Sequence, residues 1–144
     1  MEVPGLDKEK SKLDDLINQM RYFKDFIKKL NRMDVTSNRS QHQIKNGDIV
    51  RVFNKRGQVL AGAVVTEAVM QGVVRMQEGA WYDPAEPGKA GTLCRHGDVN
   101  VLIPDVGTSE LAQGNQATAL VEIEKFKGEV PEIGIFKAPK IKGV

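Results

Sequence analysis

Between Gly91 and Phe126 the chain reads GTLCRHGDVNVLIPDVGTSELAQGNQATALVEIEKF, and most of its chemistry is carried by amides and hydroxyls. Asn100, Thr108, Ser109, Gln113 and Asn115 supply donors and acceptors without net charge. Asn and Gln each pair a carbonyl with an NH2, which suits a heterocycle edge of alternating donors and acceptors, such as a pterin or a guanine. Gly97, Gly107 and Gly114 interrupt the run where backbone can come close to a ligand. Two readings follow. The segment presents backbone and polar side chains to a ligand, or it is a turn-rich surface loop whose side chains cap their own backbone.

Other chemistries find less support. No GxxxxGK[ST] phosphate loop occurs, and neither HxxxH nor CxxC is present to hold zinc. Cys94 is the only cysteine, so an intrachain disulfide is excluded, and it reads as a loop thiol without a catalytic role. Cys94 and His96 form an isolated CxH pair, but nucleophilic catalysis needs a third, orienting group in a cleft. His96, beside the GDVN turn, reads as a hydrogen bonder on a pocket rim. Glu122 and Glu124 share one face of a strand and read as solvated charge. Asp105 reads as a cap of the turn at Gly107. No catalytic or metal-ligating residue is assigned.

The elements that must position these residues change character near Lys45. From Ser11 to Asn31, Leu13, Leu16, Ile17, Met20, Phe23, Ile27 and Leu30 recur at helical steps, opposite Lys12, Asp15, Arg21, Lys28, Lys29 and Arg32. Ser11 with Asp14 resembles a capping box. This amphipathic helix is expected to pack on the following domain or on a partner helix. Its mixed acidic residues argue against a membrane surface. After Lys45 the period becomes that of strands: Asp48 to Asn54, a turn at Asn54–Gly57 with Gly57 at positive φ, Gln58 to Thr66, and Gly72 to Gln77. DPAEPGKAG, from Asp83, is loop. Ser109 to Gln113 is expected to form a short helix. Thr118 to Phe126 closes the domain, with Ala119, Val121 and Ile123 opposite Glu122 and Glu124. The end of the chain reads as extended and partly mobile. Short strands with one long polar insertion suit a small closed barrel.

Three stretches carry a family resemblance: GDIVRVFNKRGQVLAGAVVT, GVVRMQEGAWYDP and LCRHGDVNVLIPDVGTSELAQGNQAT. In this order and spacing they resemble the C-terminal domain of molybdopterin-guanine-dinucleotide oxidoreductases, in the branch of the trimethylamine-N-oxide, dimethyl sulfoxide and biotin sulfoxide reductases. The resemblance covers Ile44 to Val130, and EGAWYDP and DVGTSELAQG are its specific parts. It implies a mainly β fold, a six-stranded double-psi β-barrel covering the cofactor. Carried over by motif, Asn100 matches an Asn that contacts a pterin and Gln113 a Gln that approaches the dinucleotide. Thr108 and Ser109 sit in the GTS turn that shapes the site. Trp81, with Tyr82, falls in EGAWY, where it is expected to pack the loop. His96 and Trp81 complete the cofactor-binding set. The implied cofactor is molybdopterin guanine dinucleotide in its bis form with molybdenum, of which this chain would hold only part.

The implied organisation is a helical N-terminal segment outside the family (1–43), a cofactor-binding barrel (44–130) and an extended tail (131–144). The resembling enzymes place the metal ligand in another domain, so the expected partners are the remaining domains of a molybdopterin oxidoreductase, in cis or in trans. A helix-mediated homodimer is a further expectation. At 144 residues, 40% hydrophobic and 28% charged, the composition suits one soluble domain. A net charge of +2 gives no argument for nucleic acid. No apolar run reaches the roughly 18 residues of a membrane span, and no signal peptide is apparent. The expected location is cytoplasmic for the chain as written and periplasmic for part of an exported reductase. The parent reaction implied is two-electron reduction of an N- or S-oxide, with the isolated chain inactive. The rival reading is a barrel that persists as a non-catalytic scaffold or interaction module.

Overall fold

A computed structural model describes residues 6–30, 32–36, 44–107, 109–110 and 118–138, and within the first helix the side chains of 10–22. The elements are α1 (Leu6–Lys29), β1 (Arg32–Val35), β2 (Ile49–Phe53), β3 (Gln58–Val65), β4 (Val74–Met76), β5 (Leu93–Cys94), a 3-10 turn (Val99–Val101) and β6 (Glu122–Lys125). The fold is mainly β: one six-stranded sheet and a single helix among the described residues.

β3 is the spine. Its sequence, QVLAGAVV, is apolar without alternation, as expected of a strand covered on both faces. β2 runs antiparallel along one edge, from Phe53 opposite Gln58 to Ile49 opposite Gly62. The other edge is shared end to end by two parallel strands, β5 at Gln58 and Val59 and β1 at Gly62 to Val65. One face of this sheet buries Met33, Val35, Val50, Val52, Val59, Ala61, Ala63, Cys94 and Leu102. The opposite face buries Leu60 with Leu30, Ile49 and Ile133. The alternation of Val59, Ala61 and Ala63 against Leu60 is the pleat itself.

The strand path β4-β1-β3-β2-β6 has two ends, and β4 and β6 are not hydrogen-bonded to each other. Between them lies a cavity of about 280 Å³ lined by Val74 on one side and Val121 and Ile123 on the other. β6 alternates as expected, with Ala119, Val121 and Ile123 half-buried and Glu122 and Glu124 exposed. Glu124 is engaged by Arg51 of β2 at 2.8 Å, and that guanidinium also lies over the Phe53 ring.

Several expectations are corrected. The helix begins at Leu6, so Ser11 lies inside it and caps nothing. Lys10 to Tyr22 are all exposed, including Leu13, Leu16 and Met20, so this part of the helix does not pack on the sheet. Arg32–Val35, within the segment expected to be helical, is a sheet strand whose Met33 is fully buried. Gly57 is not at positive φ; a Cβ there would collide with the Val101 side chain, so the residue is required for close approach. The tail is anchored as far as it is described, with Ile133 buried and the Gly134 amide bonded to Asp83 Oδ2 at 2.7 Å. The short helix expected at Ser109 to Gln113 lies largely outside the described residues. No helix among the described residues is long and apolar enough to cross a membrane.

Candidate functional site

The segment that presents the polar loop is held by a short antiparallel ladder outside the main strands. Ala85 N donates to Leu93 O at 2.8 Å, Pro84 bridges Cys94, and Arg95 N donates to Asp83 O at 2.8 Å. Proline is tolerated because that pair exchanges no bond in an antiparallel register. DPAEPGKAG is therefore loop except at its first residues.

Asp83 locks the ladder. Its side chain is 5% exposed, and Oδ1 accepts from Arg95 Nη2 at 2.7 Å while Oδ2 accepts the Gly134 amide. The same Arg95 nitrogen donates to Pro84 O at 3.1 Å. A carboxylate this buried is stable only because both oxygens are satisfied and its charge is paired. Cys94, expected to be a loop thiol, is instead a fully buried strand residue. Its sulfur accepts from the Asp83 amide at 3.5 Å, a packing role.

Beyond Arg95 the chain turns sharply, with Gly97 at φ 90°. The next rung of this register would pair Trp81 with Gly97. The His96 side chain meets the Trp81 backbone there: its Nδ1 accepts the Trp81 amide at 3.0 Å, and its ring meets Phe136 edge-on at 5.4 Å. Asp98 then caps the 3-10 turn, its Oδ1 accepting from Asn100 N at 3.0 Å. Leu102, buried, pins the turn to the core.

The predicted residues are thus placed unevenly. Trp81 and His96 are brought together, but through the Trp81 backbone. The Trp81 ring is 73% exposed and does not pack the loop as expected. Asn100 is exposed on the 3-10 turn, with its backbone fixed and its side-chain amide accessible. Ser109 is exposed further along. Thr108, Gln113 and Asn115 lie outside the described residues.

Sequence reasoning missed Asn54. Its Oδ1 accepts the amides of Arg56 and Gly57, and its Nδ2 donates to Leu102 O at 2.9 Å and Leu120 O at 3.3 Å. One side chain therefore closes the hairpin and ties together both ends of the polar loop. Its only sequence signal was the turn motif NKRG. Beside it runs a groove of about 1000 Å³, between the hairpin tip and the approach to β6. It is lined by Phe53, Lys55, Arg56, Leu102 and Leu120, and none of Asn100, His96, Trp81 or Ser109 borders it. The size suits a ligand, but Asn100 and Ser109 do not line the groove, so the candidate site rests on the loop.

Among the described residues, Asn100 presents an uncharged side-chain amide on a turn whose own amide is held by Asp98, a group that can pair with a heterocycle edge. Residues 38–121 match the family described as the molydopterin dinucleotide binding domain. The chain is 58% identical over 95 residues to trimethylamine-N-oxide reductase 1 of Escherichia coli K12, covering 65% of this chain and 11% of that protein. It is 58% identical over 99 residues to the trimethylamine-N-oxide reductase of Haemophilus influenzae, covering 67% and 12%. To the dimethyl sulfoxide/trimethylamine N-oxide reductase of Cereibacter sphaeroides it is 53% identical over 98 residues, covering 67% and 12%. The chain spans only 11–12% of the length of these curated relatives, so further domains accompany this one in them. The match runs through the hairpin that carries Asn54, the ladder locked by Asp83 and the turn that exposes Asn100, and the chain belongs to the molydopterin dinucleotide binding domain family, in its trimethylamine-N-oxide and dimethyl sulfoxide reductase branch.

Proposed function

We propose that this chain forms one wall of a bis(molybdopterin guanine dinucleotide) site and works as the C-terminal part of a trimethylamine-N-oxide or sulfoxide reductase. One observation carries the reading: the family match spans the loop on which Asn100 stands exposed, from a turn whose amide is held by Asp98. Asn100 and Gln113 hold the heterocycle edges, and Thr108 and Ser109 shape the turn that receives them. Trp81 and His96 border the same loop. When bound, the cofactor's molybdenum supplies the two-electron chemistry that removes oxygen from an N- or S-oxide; this chain binds and orients. The remaining domains, in cis or in trans, enclose the rest of the cofactor and complete the double-psi barrel across the β4–β6 seam. The groove beside Leu120, a side chain 95% exposed, suits contact with them. The cofactor domain begins with β1, ahead of Ile44, because Met33 and Val35 belong to its core. Its compartment follows that of the enzyme it completes, periplasmic for an exported reductase.

The test is to express the chain in cells that make the cofactor and quantify released, oxidised pterin by fluorescence. Retention by the native chain and loss in Asn100→Ala with Gln113→Ala is the expected result. N-oxide reductase activity from the pure chain alone would contradict the division of labour.

A second reading, a non-catalytic interaction module, is favoured by one feature. Leu13, Leu16 and Met20 lie exposed on α1 at coiled-coil spacing. Such a module forms a homodimer through this stripe and retains no pterin. Sedimentation of the native chain against Leu16→Glu with Met20→Glu separates the two.

A further inference from the structure

The cofactor-loop motif contains one ionisable aromatic side chain, His96, and its geometry assigns it a different task from the amides around it. A histidine that binds a ligand uses whichever nitrogen faces that ligand. Here Nδ1 is already committed to the Trp81 amide at 3.0 Å, and the ring is braced edge-on by Phe136 at 5.4 Å. With Nδ1 accepting, the proton of the neutral ring sits on Nε2. The bond falls where the ladder runs out. Arg95 N donates to Asp83 O in the ladder, and Gly97 at φ 90° turns the chain two residues on. The imidazole there reaches across to the Trp81 backbone. Phe136 arrives by the same anchoring, since the Gly134 amide is held by Asp83.

We propose that His96 is a positioning residue and not a cofactor ligand: its Nδ1 serves as a side-chain rung that fixes the Trp81 backbone and thereby the edge from which the Asn100 turn departs. The consequence for cofactor retention rests on the function proposed above; the rung itself does not. Asparagine and glutamine divide the two nitrogens of histidine between them. In His96→Asn the side-chain Oδ1 stands near the former Nδ1 and leaves the Nε2 position empty. In His96→Gln the longer side chain reaches toward Nε2 and abandons Nδ1. His96→Ala is the common loss.

The experiment uses the full chain, with and without cofactor biosynthesis in the host. Trp81 is the sole tryptophan, so its fluorescence reports the segment directly, and its amide exchange is read by NMR. The expected result is that His96→Asn keeps Trp81 amide exchange within about twofold of native, while His96→Gln and His96→Ala exchange about tenfold faster. Pterin retention follows the same ranking. Retention by His96→Gln with loss in His96→Asn, at unchanged Trp81 protection, would make Nε2 a ligand contact and overturn the proposal. Unchanged Trp81 exchange in His96→Ala would overturn it too. If the native chain retains no pterin, the cofactor reading fails while the exchange data still decide the rung.

Discussion

β3 and the segment from Trp81 to Leu102 are held in opposite ways. β3 is paired on both edges and buried on both faces, so its position is set many times over by strands and apolar contacts. The site segment has one short ladder, the two-residue pairing of β5 with β3 and the buried Cys94 and Leu102, and around these its turns depend on polar side chains: Asp83, His96, Asp98 and, from the hairpin opposite, Asn54. Dispersed packing tolerates local change but fails as a whole. Single polar locks fail one at a time and leave the rest standing.

The comparison breaks most visibly at its apolar end. Leu60 is fully buried at the centre of the second core cluster, and Leu60→Ala removes its methyl groups without anything to fill the space. A loss of about 4 kcal/mol is expected, read as a lower denaturation midpoint for the whole domain at unchanged slope. At the other end, Asp83→Ala strands a largely buried Arg95 and frees the Gly134 amide. About 3 kcal/mol is expected, and the exchange of amides from Trp81 to Ala85 should rise more than that of β3. Asp83→Asn, which keeps an acceptor for Gly134 but not the charge, should fall between. If both variants melt the domain uniformly, the two regions are one cooperative unit and the contrast is wrong.

How much of this was legible follows the same division. The strands of β2, β3 and β6 could be read because periodicity and apolar runs report burial, and burial is decided by neighbouring residues in sequence. The polar composition of the loop could be read because residue type is local too. The locks could not. Nothing in WYDP announces that Asp83 meets Arg95 and Gly134, which approach through the fold. Gly57 suggested positive φ, whereas its reason is Val101, far along the chain. β1 is faint in the sequence because four residues are too short for a period and follow a strong helical pattern. Trp81 was misjudged for the converse reason: large aromatics are usually packed, and an exposed one is visible only in three dimensions.

Asn54 sharpens the comparison because it serves both regions. Asn54→Ala loses two hydrogen bonds across the loop ends and two within the hairpin. These sites are partly exposed, so global stability should drop by only about 1–2 kcal/mol. The exchange of the amides at Asn100 and Leu102 should accelerate more than the global loss accounts for. An Asn54→Asp variant keeps the acceptor to Arg56 and Gly57 but loses the donor to Leu102 and Leu120. It should preserve the hairpin while loosening the loop.

The smallest effect lies at the start of β2 and tests whether charge locks belong only to the site. Burial alone would raise the Asp48 carboxyl. The Lys125 ammonium at 2.9 Å and the Lys45 amide at 2.8 Å outweigh it, holding the group below its ordinary value of 3.8. A depressed carboxylate stabilises the folded state fully above its unfolded pKa, and that contribution is lost as pH falls through the lower, folded one. Asp48→Asn should therefore be less stable than native above about pH 5, by no more than about 1 kcal/mol because Lys125 is half exposed. The gap should close as the pH drops below about 4, and shrink with added salt. A gap that stays constant down to strong acid would mean that Asp48 acts through its neutral hydrogen bonds to the turn, and that the sheet, unlike the site segment, takes no support from a single charge.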